Sequence, residues 1–301
     1  MNGLLRTLTF ILVLLVALPA AILLPAHWQI RQLETPPLPA MNVLLAAIET
    51  NLGPTSIHYL NTASQTGPDG TIDHPGILLR WESGKTLLID TGMPPAQAIA
   101  FGKPMESLLK AQPTQTFGAM DEQLGDAANA ITGIVFTHLH SDHTDGLAGI
   151  CAAQSAPATV YQTPIQSTQS NYTTGSGVDA IARANCTQTT LDDALLMPLP
   201  GFPGVLALAA GGHTPGSTIY FAKVAERVWV MAGDISNDKH SIIADQPKPW
   251  IYSNFIVPEN ATRLGDLRRY LAQLDARPDF AVVIQHDVQA MRDSGMAAWK
   301  P

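Results

Sequence analysis

A layered α/β sandwich is the fold this sequence predicts, and three observations predict it. Strand-like apolar runs recur from residue 55 to residue 284 with helical patterns between them. The acidic and imidazole side chains capable of chemistry fall just beyond the ends of those runs. Of the 301 residues, 46% are hydrophobic and only 14% are charged, which excludes disorder driven by charge and allows one large core.

Taken in order, residues 1–34 read as an N-terminal signal-anchor or signal peptide. Thr7 to Ala26 carries no charge and has Phe10-Ile11-Leu12-Val13-Leu14-Leu15-Val16 at its centre. A helix of that length rises roughly 30 Å, the thickness of the hydrocarbon layer. Leu18 and Leu24 stand two positions before Ala20 and Ala26, where a small-x-small cleavage site would want a small residue, which favours an anchor over a cleaved peptide. Arg6 precedes the run, whereas Arg31 and Glu34 cancel after it, so the positive-inside rule keeps the N-terminus in the cytoplasm and exports the rest. The expected location is periplasmic or extracytoplasmic, with residues 7–26 in the inner membrane if uncleaved.

Residues 35–54 read as linker and lead-in, because Thr35-Pro36-Pro37-Leu38-Pro39 cannot begin a helix. The domain proper is expected over 55–301. Ser56 to Leu60 alternates as a strand, and Gly76–Trp81 and Thr86–Asp90 form a hairpin about Glu82-Ser83-Gly84-Lys85. Helices are predicted at 96–111 and 119–130, then a strand at 131–137. Further strands follow near 158–162, 205–209, 217–223 and 227–232, then a helix at 261–274 and a strand at 280–284.

Without residues 1–34 the chain keeps 15 basic and 24 acidic residues, a surface unsuited to phosphate backbones, so no nucleic-acid partner is expected. Cys151 and Cys186 are either a disulfide of an oxidising compartment or two small buried apolar side chains. No Cys-rich metal spacing occurs, nor any GxSxG or phosphate-cradling loop.

The chemistry concentrates after the strand at 131–137, in Thr137-His138-Leu139-His140-Ser141-Asp142-His143. At an extended strand end His138 and His140 point to one side, and a turn into a helix brings Asp142 and His143 back towards them. That spacing suits two metals better than one. Three more donors follow apolar stretches: His213 in Gly211-Gly212-His213-Thr214-Pro215-Gly216-Ser217, Asp234 in Ala232-Gly233-Asp234, and His286 after Val282-Val283-Ile284-Gln285.

HxHxDH, then GHTPGS, then GD, then a strand-end His resembles the metallo-β-lactamase superfamily over residues 55–290. The resemblance implies an αββα sandwich with the metal site at one edge of the two sheets. It implies His138, His140 and His213 around one metal, Asp142, His143 and His286 around the other, and Asp234 bridging. Asp90, in Leu88-Ile89-Asp90-Thr91-Gly92, matches the superfamily's early Asp and is expected to accept from a ligand His. Two Zn²⁺ suit these nitrogen and oxygen donors, with Fe or Mn as the other fits. A hydroxide between two such metals attacks a carbonyl, and Asp142 is the carboxylate expected to manage its proton.

Substrate follows by elimination among the superfamily's branches. Only 15 residues follow His286, too few for the helical thioester-binding domain of glyoxalase II enzymes. The acidic surface counts against RNA-processing nucleases. Lactonases share the whole donor set and head the list: the expected partner is a small-molecule carbonyl substrate, a lactone or other ester. The alternatives are an exported β-lactamase, a branch that generally lacks the bridging Asp, and behind it an iron-dependent persulfide dioxygenase-type oxidoreductase. Some lactonases carry a Tyr three residues after the bridging Asp; here that position is Asn237, expected either to donate to the carbonyl oxygen or to cap a turn. Pro247 to Phe255 and Gln166 to Gly177 are the two candidate rims, the first aromatic enough to roof an acyl pocket. Oligomeric state is not legible.

Overall fold

The computed structural model describes the backbone of residues 2–300 and, in the first helix, the side chains of residues 6, 7, 10, 13 and 15 onward. In chain order the elements are α1 (Asn2–Gln32), α2 (Met41–Ile48), β1 (Ser56–Gly67), β2 (Gly70–Arg80), β3 (Thr86–Ile89), α3 (Pro95–Leu109), β4 (Gln115–Thr116), α4 (Met120–Leu124) and β5 (Ile131–Val135). Next come α5 (Ser141–Thr144), α6 (Leu147–Ala152), β6 (Thr159–Gln162), α7 (Pro164–Thr168), α8 (Gly175–Arg183), β7 (Thr187–Thr190), β8 (Met197–Pro198) and β9 (Val205–Ala209). β10 (Thr218–Val224), β11 (Arg227–Met231), α9 (Lys239–Ile243), α10 (Ala261–Asp275), β12 (Phe280–Val283), α11 (Val288–Asp293) and β13 (Ala297–Ala298) complete the fold.

Two sheets form. The larger runs β13-β1-β2-β3-β5-β6-β7, with β4 on β1, and the smaller runs β12-β11-β10-β9-β8. Period-two alternation decides which side each strand residue faces. Ile77, Leu79, Leu87 and Ile89 of the larger sheet meet Ala207, Tyr220, Trp229, Met231 and Val283 of the smaller one in a central core. Leu78, Leu88, Ile134 and Val160 turn outward under Met120, Leu124, Ile150 and Ile181 of the helices. Leu208, Ile219, Phe221 and Val230 turn the other way, under Leu264, Leu267, Leu271 and Leu274 of α10. The layers are therefore αββα, as expected.

Most predicted elements stand within a few residues of their expected bounds. The helix expected at 119–130 breaks after Leu124, because Gly125 takes φ 55°, and continues only as a 3₁₀ stretch. The stretch expected as linker contains α2, whose Leu44 and Ile48 are buried against the smaller sheet, so it belongs to the core. Cys151 and Cys186 form a disulfide that ties α6 to the segment before β7.

Among the described residues no helix is long and apolar enough to cross a membrane. The expected span at 7–26 includes side chains at 8, 9, 11, 12 and 14 that lie outside them, and the expected membrane partner gains no support. The end of α1 packs on the domain: Ala26 and Ile30 are buried, His27 Nε2 lies 3.0 Å from the Asn254 carbonyl, and Gln29 donates to Gln169 and Ser170.

Candidate metal centre

All seven predicted donors converge at one edge of the sandwich. His138 and His140 leave the end of β5, Asp142 and His143 sit on the single turn of α5, and His213, Asp234 and His286 follow β9, β11 and β12. Parallel pairing of β11 with β12 and of β3 with β5 aligns the strand ends, so their loops share one rim. His138, His140 and His213 form one group of mutually close donors; His138, His143 and Asp234 form another.

Each imidazole is tied on its outer nitrogen, which leaves its inner nitrogen facing the others. His143 Nδ1 lies 3.0 Å from Asp90 Oδ2, His213 Nδ1 2.6 Å from Glu259 Oε1, and His286 Nδ1 2.6 Å from the Asp73 carbonyl. His138 Nδ1 is 3.3 Å from Thr137 Oγ1, and His140 is held from the other ring position, Nε2 lying 3.1 Å from Thr173 Oγ1. Outer partners of this kind fix tautomer and ring plane, the arrangement most metal-ligating histidines show.

The inner atoms give the test of fit. Buried His143 Nε2, His213 Nε2 and Asp234 Oδ1 have no hydrogen-bond partner, a costly condition in a protein interior unless something else meets them. Two donors bonded at 2.0–2.1 Å to one tetrahedral ion lie about 3.3–3.4 Å apart. His143 Nε2 to Asp142 Oδ2 is 3.6 Å, His143 Nε2 to Asp234 Oδ1 3.6 Å, His213 Nε2 to Asp234 Oδ2 3.6 Å and His286 Nε2 to Asp142 Oδ2 3.5 Å. The spacing and the nitrogen and oxygen chemistry fit a divalent metal.

Electrostatics agree. Burial, reinforced by neighbouring imidazoles, holds His138 well below its ordinary value and His140 down to about 3, so both are neutral bases. Burial alone would raise Asp234 and Asp142, but the surrounding histidines outweigh it and keep both carboxylates ionised. His143 goes the other way: Asp142, Asp90 and Asp234 overcome its burial and hold it protonated until a cation replaces the proton.

Local backbone explains the precision. Asp90 sits at φ 59°, a left-handed conformation rare outside glycine, and from there its carboxylate accepts from Thr137 N at 2.8 Å, from Thr137 Oγ1 at 2.7 Å and from His143. Gly233, just before Asp234, has φ 57°, and a Cβ there would stand 2.8 Å from Thr137 Cβ. Only glycine lets the β11 loop close onto that support.

Several residues at the site escaped sequence reasoning. His74 of β2 enters the pocket beside Asp142 and His286. Glu259 and Lys248 form a buried pair behind His213, with Lys248 Nζ 3.1 Å from Glu259 Oε1 and 2.7 Å from the Asp234 carbonyl. Tyr252 lies in a single π-helical turn, Tyr252–Ile256, with Lys248 Nζ 5.2 Å from its ring centre. No local pattern marks Glu259, which acts across 46 residues of sequence from His213. Asn237 is half-buried in the turn after Asp234, and the cap of the following helix is its neighbour Asp238. In the aromatic rim Trp250, Ile251 and Phe255 are exposed rather than packed on the core.

An αββα sandwich with this histidine and aspartate cluster at its edge defines a metallo-hydrolase architecture. A family model described as the metallo-beta-lactamase superfamily matches residues 75–185, which include the HxHxDH segment. The chain thus has the metallo-β-lactamase fold, with the family's own signature over residues 75–185, and is a metallo-hydrolase with donors for a divalent metal. No curated protein matches it by sequence. Solved structures of the same fold include a quorum-quenching N-acyl homoserine lactone lactonase, 15% identical, TM-score 0.60, covering 82% of this chain and 98% of that one. An N-acyl homoserine lactone hydrolase with N-hexanoyl-L-homoserine at its catalytic metal centre is 14% identical, TM-score 0.58, covering 80% and 97%. AidC, a dizinc quorum-quenching lactonase, is 16% identical, TM-score 0.54, covering 79% and 89%.

Proposed function

We propose that the chain is a two-zinc hydrolase of lactones or related esters that carry an apolar acyl chain. The observation that carries this reading is the complete set of converging donors with Asp234 at its centre, within 3.8 Å of His138 Nε2, 3.6 Å of His213 Nε2 and 2.8 Å of His286 Nε2. A carboxylate so placed would be shared by two ions. His138, His140 and His213 would hold one, Asp142, His143 and His286 the other. When bound, paired metals acidify water and polarise a carbonyl. Asp142, kept ionised by the histidines around it, is the carboxylate that would take and return a proton there.

The site's surroundings support an acyl substrate. Around Tyr252, the side chains of Trp250, Ile251, Phe255 and Ile256 are exposed and form an apolar edge. Tyr172 donates to the Ile256 carbonyl at 3.1 Å, joining the two rims, and its neighbour Thr173 contacts His140. An apolar edge of that kind would suit an aliphatic tail. Tyr252, kept protonated by burial and by Glu259, Asp234 and Asp142, is a donor for the developing carbonyl charge, alongside Asn237.

We also infer that the domain acts outside the cytoplasm. The disulfide and the uncharged run at 7–26 support that reading. A reporter fused after residue 40 should be active only if exported; cytoplasmic activity contradicts it.

Zinc-loaded protein should be screened against N-acyl lactones, aryl esters and β-lactams, beside Asp142→Asn. The expected result is lactone opening as the preferred reaction, falling roughly 10²–10⁴-fold in the variant. Preference for β-lactams, or wild-type turnover by Asp142→Asn, overturns the assignment.

A further inference from the structure

β2 delivers two consecutive residues to the metal centre. The Asp73 carbonyl accepts from His286 Nδ1, and Asp73 N donates to the His286 carbonyl at 3.2 Å, so the strand backbone locks the last histidine in place. The side chain of the next residue, His74, then points inward. Its backbone is pinned, with His74 N donating to Asn61 Oδ1 at 3.0 Å and its carbonyl accepting from Thr62 Oγ1 at 2.7 Å. Its ring is packed edge-on against Phe101 at 5.4 Å and His286 at 5.2 Å, and only 3% of the residue is exposed.

His74 Nδ1 lies 3.2 Å from Asp142 Oδ2 yet is not aligned as a hydrogen bond, and it remains a buried polar atom without a partner. It shares that condition with His143 Nε2, His213 Nε2 and Asp234 Oδ1, the inner atoms of the proposed ligands. The 3.2 Å separation is close to the roughly 3.3–3.4 Å edge of two donors on one zinc. With Asp142 and His286 it makes a third group of mutually close donors, all three residues buried. A ring that served only to hold Asp142 would be expected to aim its N–H along the oxygen lone pair.

We propose that His74 is a ligand of the second metal, through Nδ1, beside Asp142, His143 and His286 and with Asp234 shared. The inference rests on the two-metal reading. It gives that position one more protein nitrogen than the HxHxDH and downstream motifs supply, and therefore a firmer hold on its ion than the His138, His140 and His213 position has.

Zinc titration of chelator-stripped protein, followed by calorimetry and by elemental analysis after dialysis, tests it in wild type, His74→Ala and His74→Asn. Asparagine keeps an N–H donor facing Asp142, so a merely positioning role survives His74→Asn and ligation does not. In both variants one equivalent should bind as in wild type, which shows the site still folded, while the other weakens by more than about 100-fold, beyond the 10–100-fold usual for loss of an outer partner. Cobalt-loaded protein should show an altered visible spectrum for that equivalent alone. Two equivalents in wild type that persist in His74→Asn at wild-type affinity overturn the ligand role and leave the two-metal reading intact. Fewer than two equivalents in wild type overturn both.

Discussion

Replacing Glu259 with Gln should destabilise the metal-free protein by roughly 3 kcal/mol, a magnitude that follows from what the carboxylate holds. Burial pushes its pKa up, but Lys248, His213 and Ser253 outweigh burial and bring it from 4.5 down to about 2. At about 1.4 kcal/mol for each tenfold in proton affinity, that difference corresponds to roughly 3 kcal/mol. It agrees with the roughly 3–5 kcal/mol expected when one partner of a buried ion pair is removed. Glutamine can still accept from His213 Nδ1, so the loss falls on Lys248, left buried without an opposing charge. Because the folded-state pKa is depressed, the contribution is fully present above pH 4.5 and lost as the pH falls through about 2. Urea unfolding of chelator-treated protein at pH 7 measures it. Adding Lys248→Met to Glu259→Gln should restore much of the loss, since no charge then remains unpaired. A loss below about 1 kcal/mol, or a double variant no more stable than Glu259→Gln, refutes the pairing argument.

Two further outcomes follow from the geometry. Metal uptake near pH 7 should release protons and tighten as the pH rises, because the carboxylates around His143 hold it protonated in the metal-free state; calorimetry in buffers of different ionisation enthalpy reads this, and zero release contradicts it. Replacing Cys151 and Cys186 together by Ala should cost about 3–4 kcal/mol, the loop-closure value for a bridge spanning 35 residues, and an unchanged urea midpoint would show the bridge to be energetically silent.

The parts of this molecule readable from sequence are those whose signal is local. HxHxDH packs four donors into six residues at the end of an apolar strand, and each later donor closes an apolar run, so position at a strand end marked the seven candidates that the structure brings together. What stayed hidden depends on pairing across the sheets. His74 falls in a polar stretch, Thr71-Ile72-Asp73-His74, that reads as a turn until β2 is seen to extend to Gly70 against β1. Glu259 and Lys248 carry no pattern, because their meaning lies in the Asp234 carbonyl and His213 ring they touch. α8 begins within the last three residues of the candidate rim at 166–177; its Ile181 packs into the core with Ile150 and Cys151, while most of its remaining residues face solvent.

The proposed reaction is lactone opening that depends on two ions held by these side chains. The most direct measurement is lactone turnover as zinc is added stepwise to chelator-stripped protein, with bound metal counted at each step. Activity should rise to a plateau at two equivalents per chain and vanish again with chelator. Full activity at one equivalent would contradict the shared role of Asp234, and no lactone opening with both equivalents bound would contradict the function.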